Sequence, residues 1–309
     1  MHFMRLAALA AMGALALASS TASAATTYTL SPYAVAGSVS TQLWSLNNHG
    51  VLVGSDDNGG FIDDHGSITT VGAAGTYIAG ISDGGLAVGG DGANSFFYDA
   101  GVMTPFAVAG AQATQIRAIS ANGRYVTGTF TTAAGISDGF VWDNLTSTLT
   151  DMVPPAGAQF AVVQGVNDDG VVVGNATMGH GSVLFDATTG TSTFVTELDG
   201  LNPLKFRTID DAGDIGGWGF NGVGIVGFID KAGEGVHTFD LGAQGGTYIY
   251  ALNNLGQAVG YDIDADGITH SFTVNMSAVP EPAPAALMAF AFLAGCVRLR
   301  KGRGAHQAA

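Results

Sequence analysis

Cysteine is almost absent from this sequence: the only one among 309 residues is Cys296, close to the C-terminal end. The long section before it therefore contains no disulfide bond, no thiolate metal site and no cysteine nucleophile. Its stability has to come from packing, and about 255 residues are ample for a sizeable apolar core.

Positive charge is scarce as well. Residues 25–278 contain only five cationic side chains, namely Arg117, Arg124, Lys205, Arg207 and Lys231. All acidic residues except Glu281 lie in the same section, so it holds 25 − 1 = 24 of them and has a formal net charge of 5 − 24 = −19. Such a surface repels nucleic-acid phosphates and anionic lipid, and we expect no nucleic-acid partner. Solubility outside the cell or the binding of cations suits it better.

Motifs that would identify an enzyme are missing. The sequence has no G-x-S-x-G nucleophile elbow and no G-x-x-x-x-G-K-[ST] phosphate loop. No two histidines have the H-x-x-x-H spacing of a metal site; those of the central section are His49, His65, His180, His237 and His270. We therefore expect no catalytic residues and a non-enzymatic role.

No apolar run is long enough for a permanent membrane anchor. At the N-terminus, one positive charge at Arg5 precedes an apolar stretch over residues 6–17 and the small-x-small sequence Ala22-Ser23-Ala24. This order predicts a secretory signal peptide over residues 1–24, cleaved after Ala24. A buried N-terminal helix is the alternative. The mature body then spans residues 25–278.

A second terminal signal follows the body. Val279-Pro280-Glu281-Pro282 precedes a 13-residue apolar run, residues 285–297, whereas a spanning helix needs about 20 residues. A basic group closes the segment, made of Arg298, Arg300, Lys301 and Arg303. Residues 279–309 resemble the PEP-CTERM sorting tail of exported bacterial proteins. The resemblance implies passage through the secretion machinery, processing by an exosortase, transient membrane association through the tail, and a final place in the cell envelope, on the outer surface or outside the cell.

The body is built from a repeat. An aliphatic residue, a polar pair, a glycine, an apolar stretch and another glycine recur six times. The first glycines are Gly50, Gly85, Gly123, Gly170, Gly213 and Gly256, at a period of 35 to 47 residues. Asn, Asp and Gly tolerate positive φ, so each copy predicts a tight turn between two strands. The second glycine of each copy predicts a bulge or a close backbone approach.

The repeat predicts four strands in each copy. A further apolar segment such as Phe140-Val141-Trp142 follows the first hairpin, and another short strand follows that. The sixth copy ends after Val274 and lacks its last strand, while residues 27–30 form an unassigned strand before the first copy. We predict an all-β, six-bladed β-propeller in which the N-terminal strand completes the last blade, because ring closure removes exposed sheet edges.

The Asn-Asn-x-Gly turns and His270-Ser271-Phe272 resemble the HAF family of extracellular repeats, over most of residues 46–274. The alternative folds are a β-solenoid and a two-sheet sandwich. Solenoids usually repeat in about 20–29 residues, which is shorter than here.

One segment has the pattern of a cation site. Asp262, Asp264 and Asp266, followed by Gly267, match the start of a D-x-D-x-D-G calcium loop, in which alternating carboxylates converge on one hard cation. The twelfth loop position is Thr273 and not the bidentate glutamate of an EF-hand. The two interpretations are a calcium site and an Asp-rich surface turn.

Aromatic residues recur once per repeat and predict core positions between blades. They are Phe61, Phe97, Phe140, Phe185, Phe228 and Phe272. Trp218, Tyr248 and Tyr250 are candidates for exposed rings that stack on sugars.

The two terminal signals, the repeat and the missing catalytic motifs favour an exported protein, and the resemblance to PEP-CTERM proteins implies the cell surface or extracellular matrix of a Gram-negative bacterium. The expected role is non-enzymatic binding, adhesion or biofilm-matrix assembly, with exopolysaccharide or other cell-surface material as partner. The alternative is an extracellular hydrolase or lyase that acts on polysaccharide, with paired carboxylates at the channel mouth. A calcium-dependent adhesin is a variant of the first hypothesis.

Overall fold

The structure of the chain is a computed structural model, which describes residues 26–278 except 93, 153–159, 177–180 and 243. The predicted signal peptide with Ala22 and Ala24, and the predicted sorting tail from Val279 onward, lie outside the described residues. In the part that is described, no helix is long and apolar enough to cross a membrane.

The described chain forms 24 strands in six four-stranded sheets, which we call blades 1 to 6. Blade 1 contains β2 (Thr41–Leu46), β3 (Leu52–Asp56), β4 (Gly59–Asp64) and β5 (Ser67–Val71), and blade 2 contains β6 (Tyr77–Ile81), β7 (Ala87–Gly90), β8 (Ser95–Asp99) and β9 (Val102–Phe106). Blade 3 contains β10 (Ala113–Ile119), β11 (Tyr125–Thr131), β12 (Ser137–Asp143) and β13 (Thr148–Met152), and blade 4 contains β14 (Phe160–Val166), β15 (Val171–Ala176), β16 (Ser182–Asp186) and β17 (Thr191–Val195). Blade 5 contains β18 (Leu204–Ile209), β19 (Ile215–Phe220), β20 (Ile225–Lys231) and β21 (Gly235–Phe239), and blade 6 contains β22 (Thr247–Leu252), β23 (Gln257–Ile263), β24 (Thr269–Ala278) and β1 (Thr26–Pro32).

The six antiparallel sheets stand in a ring, which confirms the six-bladed propeller and excludes the solenoid and the sandwich. In blades 1 to 5 the strands follow one another in chain order from the channel outward. Blade 6 has the order β1-β24-β23-β22, so the N-terminal strand is its outermost strand, as predicted.

The N-terminal strand runs antiparallel to β24. Thr27 Oγ1 donates to the carbonyl of Ser277 at 3.1 Å, and the amide of Tyr33 donates to the carbonyl of Ser271 at 2.9 Å. Tyr28 packs edge-on against Phe239 of blade 5, with ring centroids 5.0 Å apart. The first strand therefore covers the edge of blade 6 and contributes to the interface between blades 5 and 6.

The core consists of six apolar clusters, and each lies between two neighbouring blades, including blades 6 and 1. Phe61, Phe140 and Phe228 are completely buried, as the repeat predicts. In blade 2, Phe97 is half-buried and packs against the cluster between blades 2 and 3, while its neighbour Phe96 on the other face of the strand is buried in the cluster between blades 1 and 2.

The first glycine of each repeat has the positive φ that the turn predicts, for example 77° at Gly50. The second glycine allows a close backbone approach. A Cβ atom on Gly217 would lie 2.0 Å from the carbonyl oxygen of Lys205 on the innermost strand of the same blade. Both glycine predictions are confirmed.

Candidate functional site in the central channel

A solvent-connected cavity lies where the innermost strands of all six blades meet. Its empty volume is about 770 Å³, including the part that is open to solvent. The lining comes from β2, β6, β10, β14, β18 and β22 and from the turns that follow these strands. A pocket built by every blade of a ring is the first place to look for a ligand site.

Each innermost strand contains a β-bulge at the equivalent position. The pairing register with the second strand shifts across one residue, which is Trp44, Ala79, Arg117, Gln164, Arg207 or Tyr250 in blades 1 to 6. We call these six residues the bulge ring, and all of them line the cavity. A bulge inserts an extra residue and redirects a side chain, which explains why bulges are common beside functional sites.

The second glycine of the repeat lies next to the bulge in every blade. In blade 5, Gly217 pairs with Phe206, the residue immediately before Arg207. The missing side chain of this glycine lets the two backbones approach at the point where the register shifts. The repeat motif thereby determines which residue of each blade faces the channel.

Aromatic rings form one side of the channel. Trp44 lies 5.2 Å from Tyr250 and 5.6 Å from Tyr77, measured between ring centroids. The indole nitrogen of Trp44 donates to Ser55 Oγ at 3.0 Å, which fixes the orientation of the ring. Tyr77 reaches the cavity beside Ala79, the smallest member of the bulge ring.

The three aromatic residues that the sequence marked as candidates are connected. Trp218 packs edge-on against Tyr248, Tyr248 stacks on Tyr261, and Tyr261 contacts Tyr250 at 5.2 Å. All three candidates are half-buried, and among them only Tyr250 lines the cavity. Trp218 and Tyr248 support the channel wall from behind.

Two arginines lie on the remaining wall. The guanidinium of Arg207 stacks 3.5 Å above the ring of Tyr250 and donates to Gln164 Oε1. Arg117 donates through Nη2 to Gln115 Oε1 at 2.9 Å. Burial lowers the pKa of Arg207; the electrostatic interaction with Tyr250 opposes this shift, and the positive charge of Arg117 adds to it.

A second ring lies in the turns that follow the innermost strands, four residues after the bulge ring in each blade. It consists of the third residue of each repeat motif, which is polar in every blade except blade 3, and we call it the turn ring. Its members are Asn48, Asp83, Ala121, Asp168, Asp211 and Asn254. Its members are joined from blade to blade by hydrogen bonds of 2.7–3.0 Å. In most blades a backbone amide donates to the side-chain oxygen of the next member.

Blade 3 departs from this pattern because Ala121 has no side-chain acceptor. The amide of Asp83 donates instead to the backbone carbonyl of Ala121 at 2.7 Å, and the amide of Asn122 donates to Asp168 at 2.8 Å. The circle closes between blades 6 and 1, where the amide of Asn254 donates to Asn48 Oδ1 at 2.8 Å.

Carboxylates of these turns are partly desolvated. Burial raises the pKa of Asp210 to about 6 from an ordinary value of 3.8; backbone hydrogen bonds oppose the shift, while the charges of Asp214 and Asp211 add to it. Burial also raises the pKa of Asp168. Perturbed carboxyl groups in a cleft mark a candidate site, although structural networks perturb them too.

The predicted calcium loop lies in the turn between β23 and β24. Asp262 is a strand residue paired with His270, whereas the Asp264 carboxylate accepts the amides of Asp266 and Ile268 and contacts His270 Nε2 at 2.9 Å. Within the described ranges, no group of three or more His, Cys, Asp or Glu side chains is arranged to hold a metal ion. Calcium binding stays a prediction.

Most channel residues were not found from the sequence. Arg117, Gln164, Arg207, Trp44 and Tyr77 received no role there. The signal is present, because every member of the bulge ring lies two residues before the aliphatic residue that opens the repeat motif. Aligning the six copies on that aliphatic residue would have identified the positions.

Comparison with known proteins supports the fold alone. No protein-family model and no curated protein sequence matches the chain. A gluconolactonase from Xanthomonas campestris matches with a TM-score of 0.53 and 13% identity over 77% of this chain and 87% of that one. A putative TolB from Agrobacterium tumefaciens matches with a TM-score of 0.51 and 14% identity over 65% of this chain and 75% of that one.

Proposed function

We propose that this chain is an exported, non-enzymatic binding propeller of a Gram-negative bacterium, which holds its ligand in the central channel. The observation that carries the proposal is the bulge ring. Six blades with one shared motif each aim one residue at the axis, yet the six residues differ in charge, size and aromaticity. A purely structural ring needs no such variety, whereas a site specific for one ligand does.

The terminal sequences supply the location. The signal peptide and the PEP-CTERM tail would deliver the propeller to the envelope, the outer surface or the extracellular matrix, where exopolysaccharide is the abundant material to bind. The acidic body supports solubility there and limits contact with anionic surfaces.

Binding is tested with the chain purified from secreting cells and the exopolysaccharide of the producing bacterium. We expect the protein to sediment with the polymer and to release no reducing ends from it. Deleting the gene should weaken the matrix. A protein that stays in the supernatant, with an unchanged matrix in the deletion strain, would refute the proposal.

Sorting is tested separately. Replacing Pro280, Glu281 and Pro282 by alanine should retain the protein in the inner-membrane fraction, since the motif is the element that the exosortase would recognise. Removing residues 304–309, which follow the basic group, is the matched control and should leave sorting unchanged. Equal distribution of the motif variant and the wild type would argue against exosortase processing.

One observation favours the enzymatic alternative. Asp210 lines the channel, and its pKa of about 6 is suitable for proton transfer near neutral pH. A polysaccharide hydrolase or lyase would release reducing ends or unsaturated products, and Asp210→Asn would abolish the release. The absence of products across a panel of polysaccharides leaves the binding function as the one supported.

A further inference from the structure

The channel contains two of the five cationic side chains of the body. Arg124 pairs with Asp143 at 2.8 Å, and Lys231 lies 3.5 Å from Asp214. In contrast, no carboxylate of the described residues lies within 4.0 Å of Arg117 or Arg207. The parts of the body outside the described ranges contain no Asp or Glu that could supply one.

The hydrogen-bonding capacity of these arginines is largely unused by the protein. A guanidinium has five N–H donors, whereas the side-chain partners of this pair are Gln115 for Arg117, and Gln164 and Tyr250 for Arg207. The Nε atom of each arginine is buried and has no hydrogen-bond partner. The partly buried guanidinium of Arg207 has no counter-ion, and an anion in the channel would offset the cost of its desolvation.

The shape of the groups indicates which anion fits. The planar fork of an arginine binds a carboxylate or phosphate through two parallel hydrogen bonds, which a lysine cannot do. Beside the arginines, Trp44, Tyr77 and Tyr250 form an aromatic wall. A ligand that combines a carboxylate with a ring that has an apolar face satisfies both parts of the lining.

The negative charge of the rest of the body limits the length of the acidic saccharide that can bind. The body has a net charge of −19, so a long polyanion is repelled from its outer surface. A unit that enters the channel meets two positive charges that have no carboxylate within 4.0 Å. This favours a single acidic sugar, at a chain end or in a short oligosaccharide, over a polymer that lies across the face of the propeller.

We propose that the channel binds the carboxylate of an acidic sugar at Arg117 and Arg207, with the sugar ring against Trp44, Tyr77 and Tyr250. The proposal deepens the binding function above and rests on it. The two arginines act as anion-binding residues, and Gln164 is a positioning residue that orients the guanidinium of Arg207.

The test measures the affinity of the full exported chain for glucuronate by calorimetry, with glucose, sulfate and N-acetylalanine as comparison ligands. We expect glucuronate to bind at least about tenfold more tightly than each of the others, since only glucuronate combines the two features. Equal affinity for glucose would exclude carboxylate recognition. Equal affinity for sulfate, or for the peptide-like carboxylate, would exclude recognition of the sugar ring.

Three variants locate the site. Arg117→Met and Arg207→Met should each weaken glucuronate binding by about tenfold or more. Lys205→Met removes one positive charge from the strand that also contains Arg207. Because Lys205 does not line the cavity, the affinity of this variant for glucuronate should equal that of the wild type. Melting curves of all variants verify that they fold. Unchanged affinity in a folded Arg207→Met protein, or an equal loss in Lys205→Met, would overturn the proposal.

The same proteins separate this inference from the binding function on which it rests. Sedimentation with exopolysaccharide that persists without any glucuronate binding refutes the acidic-sugar site and leaves the binding propeller intact. Glucuronate binding that depends on both arginines, without sedimentation on exopolysaccharide, supports the site and refutes the matrix role.

Discussion

Asn253 and Asn47 are 206 residues apart in the chain and are joined by a hydrogen bond of 2.9 Å from the side-chain amide of Asn253 to the backbone carbonyl of Asn47. The same bond runs from Asn47 to Ser82 and from Asn167 to Asp210 at 3.1 Å. The first polar residue of the repeat therefore has two tasks. Its oxygen stabilises its own turn, and its nitrogen connects the turn to the next blade.

Replacing Asn253 with aspartate separates these two tasks. The Oδ1 atom that accepts the amides of Leu255 and Gln257 is retained, whereas the donor to Asn47 is lost. We expect Asn253→Asp to lower the free energy of unfolding by about 2–3 kcal/mol, because a buried carbonyl loses its partner and faces a carboxylate. Urea unfolding measures the change.

Asn221→Asp is the matched control for this prediction. Asn221 stabilises the exposed turn between β19 and β20 by accepting the amides of Val223 and Gly224. Its substitution should cost less than about 0.5 kcal/mol, as is usual for surface changes. Equal losses in the two variants would mean that the bond between blades 6 and 1 contributes nothing.

Asp210 occupies the same position in blade 5 but carries no amide with which to reach the next blade. Its folded pKa of about 6 lies above the ordinary 3.8, mainly because of burial. Its protonation therefore stabilises the fold fully below about pH 4, and this contribution is lost as the pH rises through about 6. We expect Asp210→Asn to raise the free energy of unfolding by roughly 2 kcal/mol at pH 7 and by much less at pH 4.

The reverse substitution, Asn167→Asp in blade 4, provides the control for Asp210. It removes the donor to the carbonyl of Asp210 and adds a carboxylate at a buried position. Its stability should fall between pH 4 and pH 7. Thermal unfolding of both variants at pH 4 and pH 7 measures these changes in stability. If Asp210→Asn stabilised the protein equally at both pH values, the raised pKa could not belong to the carboxyl group of Asp210.

The second glycine of the repeat is expected to be intolerant of even one methyl group. In Gly217→Ala the new Cβ would lie 2.0 Å from the carbonyl oxygen of Lys205, and neither backbone can move without breaking the ladder beside the bulge. We expect a loss of about 3 kcal/mol or more. Gly224→Ala, in the same blade, meets no atom within 4 Å and should be nearly neutral.

The predicted calcium loop is tested by melting curves with calcium and with chelator. Calcium should raise the melting temperature if it binds the native state, and Asp264→Ala should remove that increase. Asp56→Ala is the control, because Asp56 also accepts two amides of its own turn but lacks the alternating carboxylates. Identical curves in calcium and chelator would refute the site.

The sequence predicts the blades because their determinants are local. A positive φ at Gly50, and the missing last strand of the sixth copy, follow from residues that are adjacent in the chain. The direction of Arg207 does not, since a bulge interrupts the two-residue alternation from which the face of a strand is inferred. The bond between Asn254 and Asn48 is equally invisible, because it depends on the closure of the ring.

The antiparallel pairing of β1 with β24 brings the two ends of the propeller together: a hydrogen bond joins Thr27 to Ser277. The bonds of such a ladder are perpendicular to the strands, so tension applied to both ends would break them one at a time. Under that load β1 would detach first. A force that pulls the C-terminal end while the ring is held elsewhere is instead carried by β24, which is paired with β23 on one side and with β1 on the other.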